Sequence, residues 1–234
     1  MFYTILGFIF GLLIPYIARR FAKFMPATPA YALYRIIWPV KTVSKNKRTS
    51  NVKYRKLIKK YIMRSIGWAI VSAALCCALY FCFAHPYRPW LTFLVLILLL
   101  LYEIDERMFL LPDILTVPLL IGGFAYFAFA FAFSCSPDDI LSPFQISVLG
   151  AIAGYTLPVI ASLFLIKKYP DCFGGGDIKL LSALGAWLGL ETVPYLILLS
   201  SFIFAIFSII KRQRAGAFGP SIVIATIILV FLNI

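Results

Sequence analysis

The sequence predicts an all-α protein, a polytopic transmembrane bundle of about eight helices with both termini on the outer (periplasmic or extracellular) side. Three observations predict it. The 234 residues are 62% hydrophobic and only 13% charged, with a mean hydropathy of +0.96, whereas soluble domains run to about half apolar and a quarter charged. The chain divides into apolar runs near the roughly 20 residues that cross a bilayer, with charges and prolines between them. Lysine and arginine, finally, collect on one set of alternate loops.

In chain order the runs place helices at 1–18, 65–84, 90–104, 113–133, 144–166, 178–190, 193–210 and 218–233. Helices are expected because backbone polar groups in hydrocarbon must be satisfied within each segment. Barrel strands would alternate apolar and polar residues, and these runs are apolar throughout. The first run, FYTILGFIFGLLIPYIA, has no basic residues ahead of it, Arg19 and Arg20 behind it, and no A-x-A site. It therefore reads as a retained first span, 1–18, rather than a cleaved signal.

Residues 19–64 form a basic loop carrying 14 of the 22 Lys and Arg and no acidic residue. Within it, YALYRIIW (31–38) suits an interfacial helix. The segment 65–234 holds the remaining seven helices as one core. Together with 105–112, 167–179 and 211–217, the 19–64 side gathers 21 basic residues, and the opposite side has Arg88 with Asp138, Asp139 and Glu191. The positive-inside rule puts the basic side in the cytoplasm. A basic segment beside a membrane is expected to meet anionic lipid headgroups, and nucleic acid is not an expected partner. Cys76, Cys77, Cys82, Cys135 and Cys172 form no C-x-x-C pair and His85 is the only histidine, so no metal site is expected.

Six of the nine acidic residues lie at cytoplasmic ends of helices: Glu103, Asp105, Glu106, Asp113, Asp171 and Asp177. Ionisable residues within a membrane boundary are rare and usually functional. Asp113 follows Pro112 at the start of a helix, where proline costs nothing and a carboxylate favours the positive dipole end. Helix capping explains it sufficiently. Asp105 ends the third helix, where negative charge is unfavourable, so capping explains it poorly.

Asp177 opens the sixth helix behind Gly174, Gly175 and Gly176. Capping and function account for it equally well. The glycines allow close backbone approach and positive φ, and they lack the phosphate-loop spacing G-x-x-x-x-G-K-[ST]. About 13 residues of helix reach about 20 Å, short of a roughly 30 Å hydrocarbon core. Gly185 and Gly189 form a G-x-x-x-G, which permits tight helix contact and could bring Asp177 towards Asp105. Two carboxyls held together share a proton and titrate as a unit. The ionised one takes a proton from water, while the protonated one polarises a peptide carbonyl and later protonates the leaving amine. That is aspartyl-protease chemistry.

At this point the sequence resembles the type IV prepilin (leader) peptidases of the GxGD membrane aspartyl protease class. IDERMFLLPDILTVPLL (104–120) is similar to the family's I-D-x-x-x-x-L-L-P-D element, and FGGGDIKLLSALGAWLG (173–189) to its G-x-G-D-x-K-L-L-x-x-L-G-A-W element. AFGPSIVIA (217–225) resembles the F-G-P segment opening the last helix. The resemblance covers about 100–234. It implies catalytic Asp105 and Asp177, with Gly174, Gly176, Lys179, Pro112, Phe218, Gly219 and Pro220 as motif support.

It further implies a multi-pass protein of the bacterial cytoplasmic (inner) membrane that cuts prepilin or pseudopilin precursors on the cytoplasmic side, just after a glycine. Many members also N-methylate the new terminus with S-adenosylmethionine. Peptide hydrolysis itself needs no cofactor. Typical bifunctional members carry two zinc-binding C-x-x-C pairs in the first cytoplasmic loop, and 19–64 has no cysteine, so zinc is not expected. Because that loop should repel a basic leader within a Debye length, leader recognition is expected to use Glu103, Glu106, Asp113 and Asp171. Rival readings are a peptidase of other signal peptides, a catalytically silent assembly protein of this fold, and an ion or solute transporter. A transporter predicts an internal inverted repeat, and none is visible.

Overall fold

The computed structural model describes residues 2–24, 51–134, 142–165, 174–211 and 216–232, which form eight α-helices and one short 3-10 turn. The chain divides into two compact units, Met1–Arg107 and Met108–Ile234.

The first unit contains α1 (Phe2–Phe24), α2 (Asn51–Cys82) and α3 (Arg88–Met108). Helix α1 presents Gly7, Gly11, Ile14, Ala18 and Phe21 inward, and α2 presents Ser65, Ala69, Ser72, Cys76 and Leu79. Both series step by four and three residues, the 3.5-residue repeat of helices packed side by side. Small residues let the backbones approach. A Cβ on Gly7 would lie 2.7 Å from Cys76 Sγ, and one on Gly11 would lie 2.6 Å from Ala69 Cα. The Ser72 hydroxyl donates to the Gly7 carbonyl at 2.6 Å across this seam.

Three boundaries differ from expectation by four residues or more. Helix α1 runs to Phe24 rather than 18, so the start of the expected basic loop is helical. Helix α2 begins at Asn51 rather than 65, so the end of the expected basic loop, NVKYRKLIKKYIMR, is helical. It lacks Gly and Pro and is rich in good helix formers, and its charges hid it from a reading based on apolar runs. The YALYRIIW segment lies outside the described residues. Helix α3 runs past 104 to Met108. The turn between α2 and α3 is closed by Arg88, whose Nε donates to the Phe83 carbonyl at 2.9 Å and whose guanidinium lies 4.2 Å from the Tyr80 ring centre.

The second unit contains α4 (Asp113–Ser134), α5 (Pro143–Leu165), α6 (Gly175–Leu188), a 3-10 turn (Leu190–Thr192), α7 (Val193–Lys211) and α8 (Gly219–Leu232). Helix α6 is central: it packs against α4, α5, α7 and α8, and Leu180, Leu181 and Ala183 to Trp187 are buried. A helix apolar all round belongs inside protein, and its 14 residues need not span a bilayer because its neighbours shield it. The Ser147 hydroxyl donates to the Ala186 carbonyl at 2.7 Å and the Ser182 hydroxyl to the Ala151 carbonyl at 2.9 Å, stitching α5 to α6. The Trp187 indole N–H donates to the Leu119 carbonyl of α4 at 2.7 Å, and its ring stacks on Tyr126 with centres 5.3 Å apart.

Both glycines of the G-x-x-x-G give the tight helix contact expected of them: a Cβ on Gly150 of α5 would lie 3.0 Å from the Gly185 carbonyl carbon and 2.8 Å from that of Gly189. Gly185 meets Gly150 of α5 backbone to backbone. Gly189 lies beyond the helix at φ +82°, its N–H donating to the Gly185 carbonyl at 2.9 Å. Glycine adopts that positive φ without penalty.

Among the described residues four segments are long and apolar enough to cross a membrane: Phe2–Phe21, Ile58–Cys82, Pro143–Leu163 and Leu190–Lys211. Asp113–Phe129 and Gly219–Leu232 are shorter apolar helices.

Candidate active site

In the second unit Gly174 is the N-cap of α6, in extended backbone. Its carbonyl accepts the N–H groups of Asp177 at 3.0 Å and Ile178 at 3.3 Å. Asp177 therefore stands in the first helical turn, at the positive end of the dipole. The three glycines before it differ in what they permit. A Cβ on Gly174 would lie 3.1 Å from Asp177 Oδ2, one on Gly175 would meet nothing within 4 Å, and one on Gly176 would lie 3.0 Å from Leu111 Cβ. None has the positive φ that the sequence allowed for; among the described residues Gly189 is the one glycine that does. Their use here is close approach at Gly176 and open space at Gly175.

Lys179, two residues further from the N-cap, donates to both Asp113 carboxylate oxygens at 2.8 Å. Asp113 is thus paired as well as placed at a helix start. Pro112 sits just before α4, its carbonyl accepting the N–H groups of Leu115 and Thr116 at 3.0 and 3.3 Å. The F-G-P segment starts α8 in the same way. The Phe218 carbonyl accepts the Ser221 and Ile222 N–H groups at 3.0 and 3.2 Å, and Gly219 and Pro220 are buried in the first turn, where proline's missing N–H costs nothing. The Phe218 ring packs edge-on against Phe204.

In the first unit Asp105 lies within α3, three residues before its end, and is 4% exposed. Glu103 is fully buried and saturated with donors. Its Oε2 accepts Arg64 Nε at 3.2 Å, Arg64 Nη2 at 2.8 Å and Trp68 Nε1 at 2.9 Å. Its Oε1 accepts Arg107 Nε at 2.7 Å and Nη2 at 2.6 Å. Arg64 Nη2 also reaches Glu106 Oε2 at 2.7 Å. Glu103 was expected to meet a basic leader; a buried carboxylate held by two guanidinium groups and an indole has no face left for one. Sequence reasoning missed Arg64, Trp68 and Arg107, because the first two lie 39 and 35 residues upstream of Glu103. Asp171 lies outside the described residues. Among the described residues no group of three or more His, Cys, Asp or Glu could hold a metal ion.

An apolar, all-helical chain whose described residues include four helices long and apolar enough to cross a membrane, with one carboxyl buried near a helix end and another in the first turn of a glycine-opened helix, has the character of a membrane protein. The chain belongs to the Type IV leader peptidase family, whose model matches residues 92–209, a range that includes Asp105 and Asp177. It is 34% identical over 142 residues to the prepilin leader peptidase/N-methyltransferase of Dickeya chrysanthemi, covering 57% of this chain and 47% of that protein. The similarly named proteins of Neisseria gonorrhoeae and Klebsiella pneumoniae are 35% identical over 144 residues and 40% over 119. Those alignments cover 58% and 50% of this chain and 47% and 48% of the relatives. The chain spans about half the length of the curated relatives it matches. No solved structure matches it.

Proposed function

We propose that this chain is a membrane aspartyl endopeptidase that removes the short basic leader from prepilin or pseudopilin precursors, cutting just after a glycine on the cytoplasmic face. The observation that carries the reading is that both motif aspartates, Asp105 and Asp177, stand within the family match. In this reading they act on one peptide bond. The ionised carboxylate takes a proton from a water, which adds to the carbonyl while the protonated carboxyl polarises its oxygen. The tetrahedral adduct then collapses as the leaving amine receives a proton, with no covalent enzyme intermediate. The open space at Gly175 supports passage of an extended substrate strand beside Asp177.

The chain lies in the bacterial cytoplasmic membrane with both termini outward, as the charge asymmetry supports, and its basic 19–64 region meets anionic lipid headgroups. Leader recognition falls to Glu106, Asp113 and Asp171. The Asp113–Lys179 pair is about half exposed, and an exposed ion pair exchanges partners at little cost. The relatives' names also contain an N-methyltransferase, for which S-adenosylmethionine would be the methyl donor. N-methylation of the new terminus from that donor is a second activity this reading allows, and the step derived for this chain is the hydrolysis. The test is incubation of the purified chain with a prepilin, followed by mass spectrometry. A leader released at the glycine supports the reading, and an added methyl group on the product would extend it. An uncut precursor would refute it.

A further inference from the structure

We infer that Arg64, Glu103, Arg107 and Trp68 are a positioning device for Asp105, fixing the rotation and the last turn of α3; the inference rests on the peptidase reading above. The last turn of any helix lacks partners for its final carbonyls, and carboxylates there oppose the dipole. Helix α3 places Glu103, Asp105 and Glu106 in that region, so left to itself this end would fray.

The network counters the fraying. Glu103, Glu106 and Arg107 are spaced i, i+3 and i+4 and share one face. That face is tied to α2 by Arg64 and Trp68. Trp68 also packs edge-on against Tyr102, with ring centres 5.2 Å apart. Asp105 is two residues from Glu103, about 200° around the helix. Holding Glu103 against α2 therefore fixes the direction in which the Asp105 carboxyl points, although none of the four residues need touch substrate. A clamp of this kind predicts a kcat effect, because a misplacement of about 1 Å costs on the order of 10²-fold in rate.

The test uses the full chain in detergent with two prepilin-like substrates, one with a basic leader and one with that leader neutralised. Glu103→Gln should lower kcat by roughly 10- to 100-fold on both substrates and leave KM within about two-fold. Arg64→Lys, which keeps charge but loses the fork, should fall between Glu103→Gln and the unaltered chain. Trp68→Phe, which removes one N–H and keeps the ring, should cost less, and it serves if Glu103→Gln fails to accumulate. Unchanged kcat per folded molecule, even with lower thermal stability, would overturn the inference. So would a rise in KM confined to the basic leader, which would make Glu103 a leader contact. If the unaltered chain cuts and the variants match it, the inference alone fails. If the unaltered chain does not cut, the peptidase reading fails and the inference with it.

Discussion

Gly185→Ala tests the packing that seats Asp177. A Cβ at position 185 would lie 2.7 Å from the Gly150 carbonyl carbon and 3.2 Å from Val193 Cγ2. Ordinary carbon contacts are about 3.5–4.0 Å, and backbone cannot turn aside as a side chain can, so α5 and α6 must part by about 1 Å. Overpacking of this kind costs about 1–3 kcal/mol. The same separation breaks the Ser147–Ala186 and Ser182–Ala151 hydrogen bonds, now 2.7 and 2.9 Å, at about 1 kcal/mol each. Alanine's better helix propensity returns about 1 kcal/mol. The net loss is about 2–4 kcal/mol, a fall in Tm of roughly 4–16 °C, read by circular dichroism on heating in detergent. Gly175→Ala is the control: nothing lies within 4 Å of its Cβ, so its effect should stay within about 0.5 kcal/mol. An unchanged Tm for Gly185→Ala, or equal damage from Gly175→Ala, would refute the reasoning.

Trp187→Phe removes the indole bond to the Leu119 carbonyl and keeps an aromatic ring beside Tyr126, so the same melts should show a loss of about 1–2 kcal/mol. A double-mutant cycle on Asp113→Asn and Lys179→Gln should give a coupling below about 1 kcal/mol, since the pair is exposed; raising salt should reduce it further. Gly174→Ala, whose Cβ would lie 3.1 Å from Asp177 Oδ2, should lower cleavage more than Gly175→Ala while leaving Tm nearly unchanged, because it displaces one carboxylate rather than a helix.

The eight helices were legible because apolar length is the dominant signal in a bilayer protein. What failed was the polar end of the runs that border the basic and acidic stretches. The end of α1 at Phe24, the start of α2 at Asn51 and the end of α3 at Met108 lie in charged sequence, where hydropathy is blind. The Gly7–Gly11 seam was open to detection, since small residues repeat every three or four positions on both α1 and α2, but spacing alone does not say which helix a span packs against. Gly189 is the packing residue its spacing predicted, close to Gly150 and Ile146, and its φ of +82° also makes it a helix terminator, which spacing did not show. Asp113 and Asp177 were placed at helix starts by proline and glycine punctuation. The true surroundings of Glu103 were hidden, since no local pattern links it to Arg64 and Trp68.

The central claim is that Asp105 and Asp177 together hydrolyse the leader peptide bond. Its most direct test is the leader-release rate, followed by mass spectrometry, for the unaltered chain and for Asp105→Asn and Asp177→Asn separately. Each substitution keeps the side-chain volume and removes the acid–base function. The account predicts release by the unaltered chain and a loss of roughly 10²-fold or more in each variant, with Tm preserved. Release by either folded variant at the unaltered rate would contradict it.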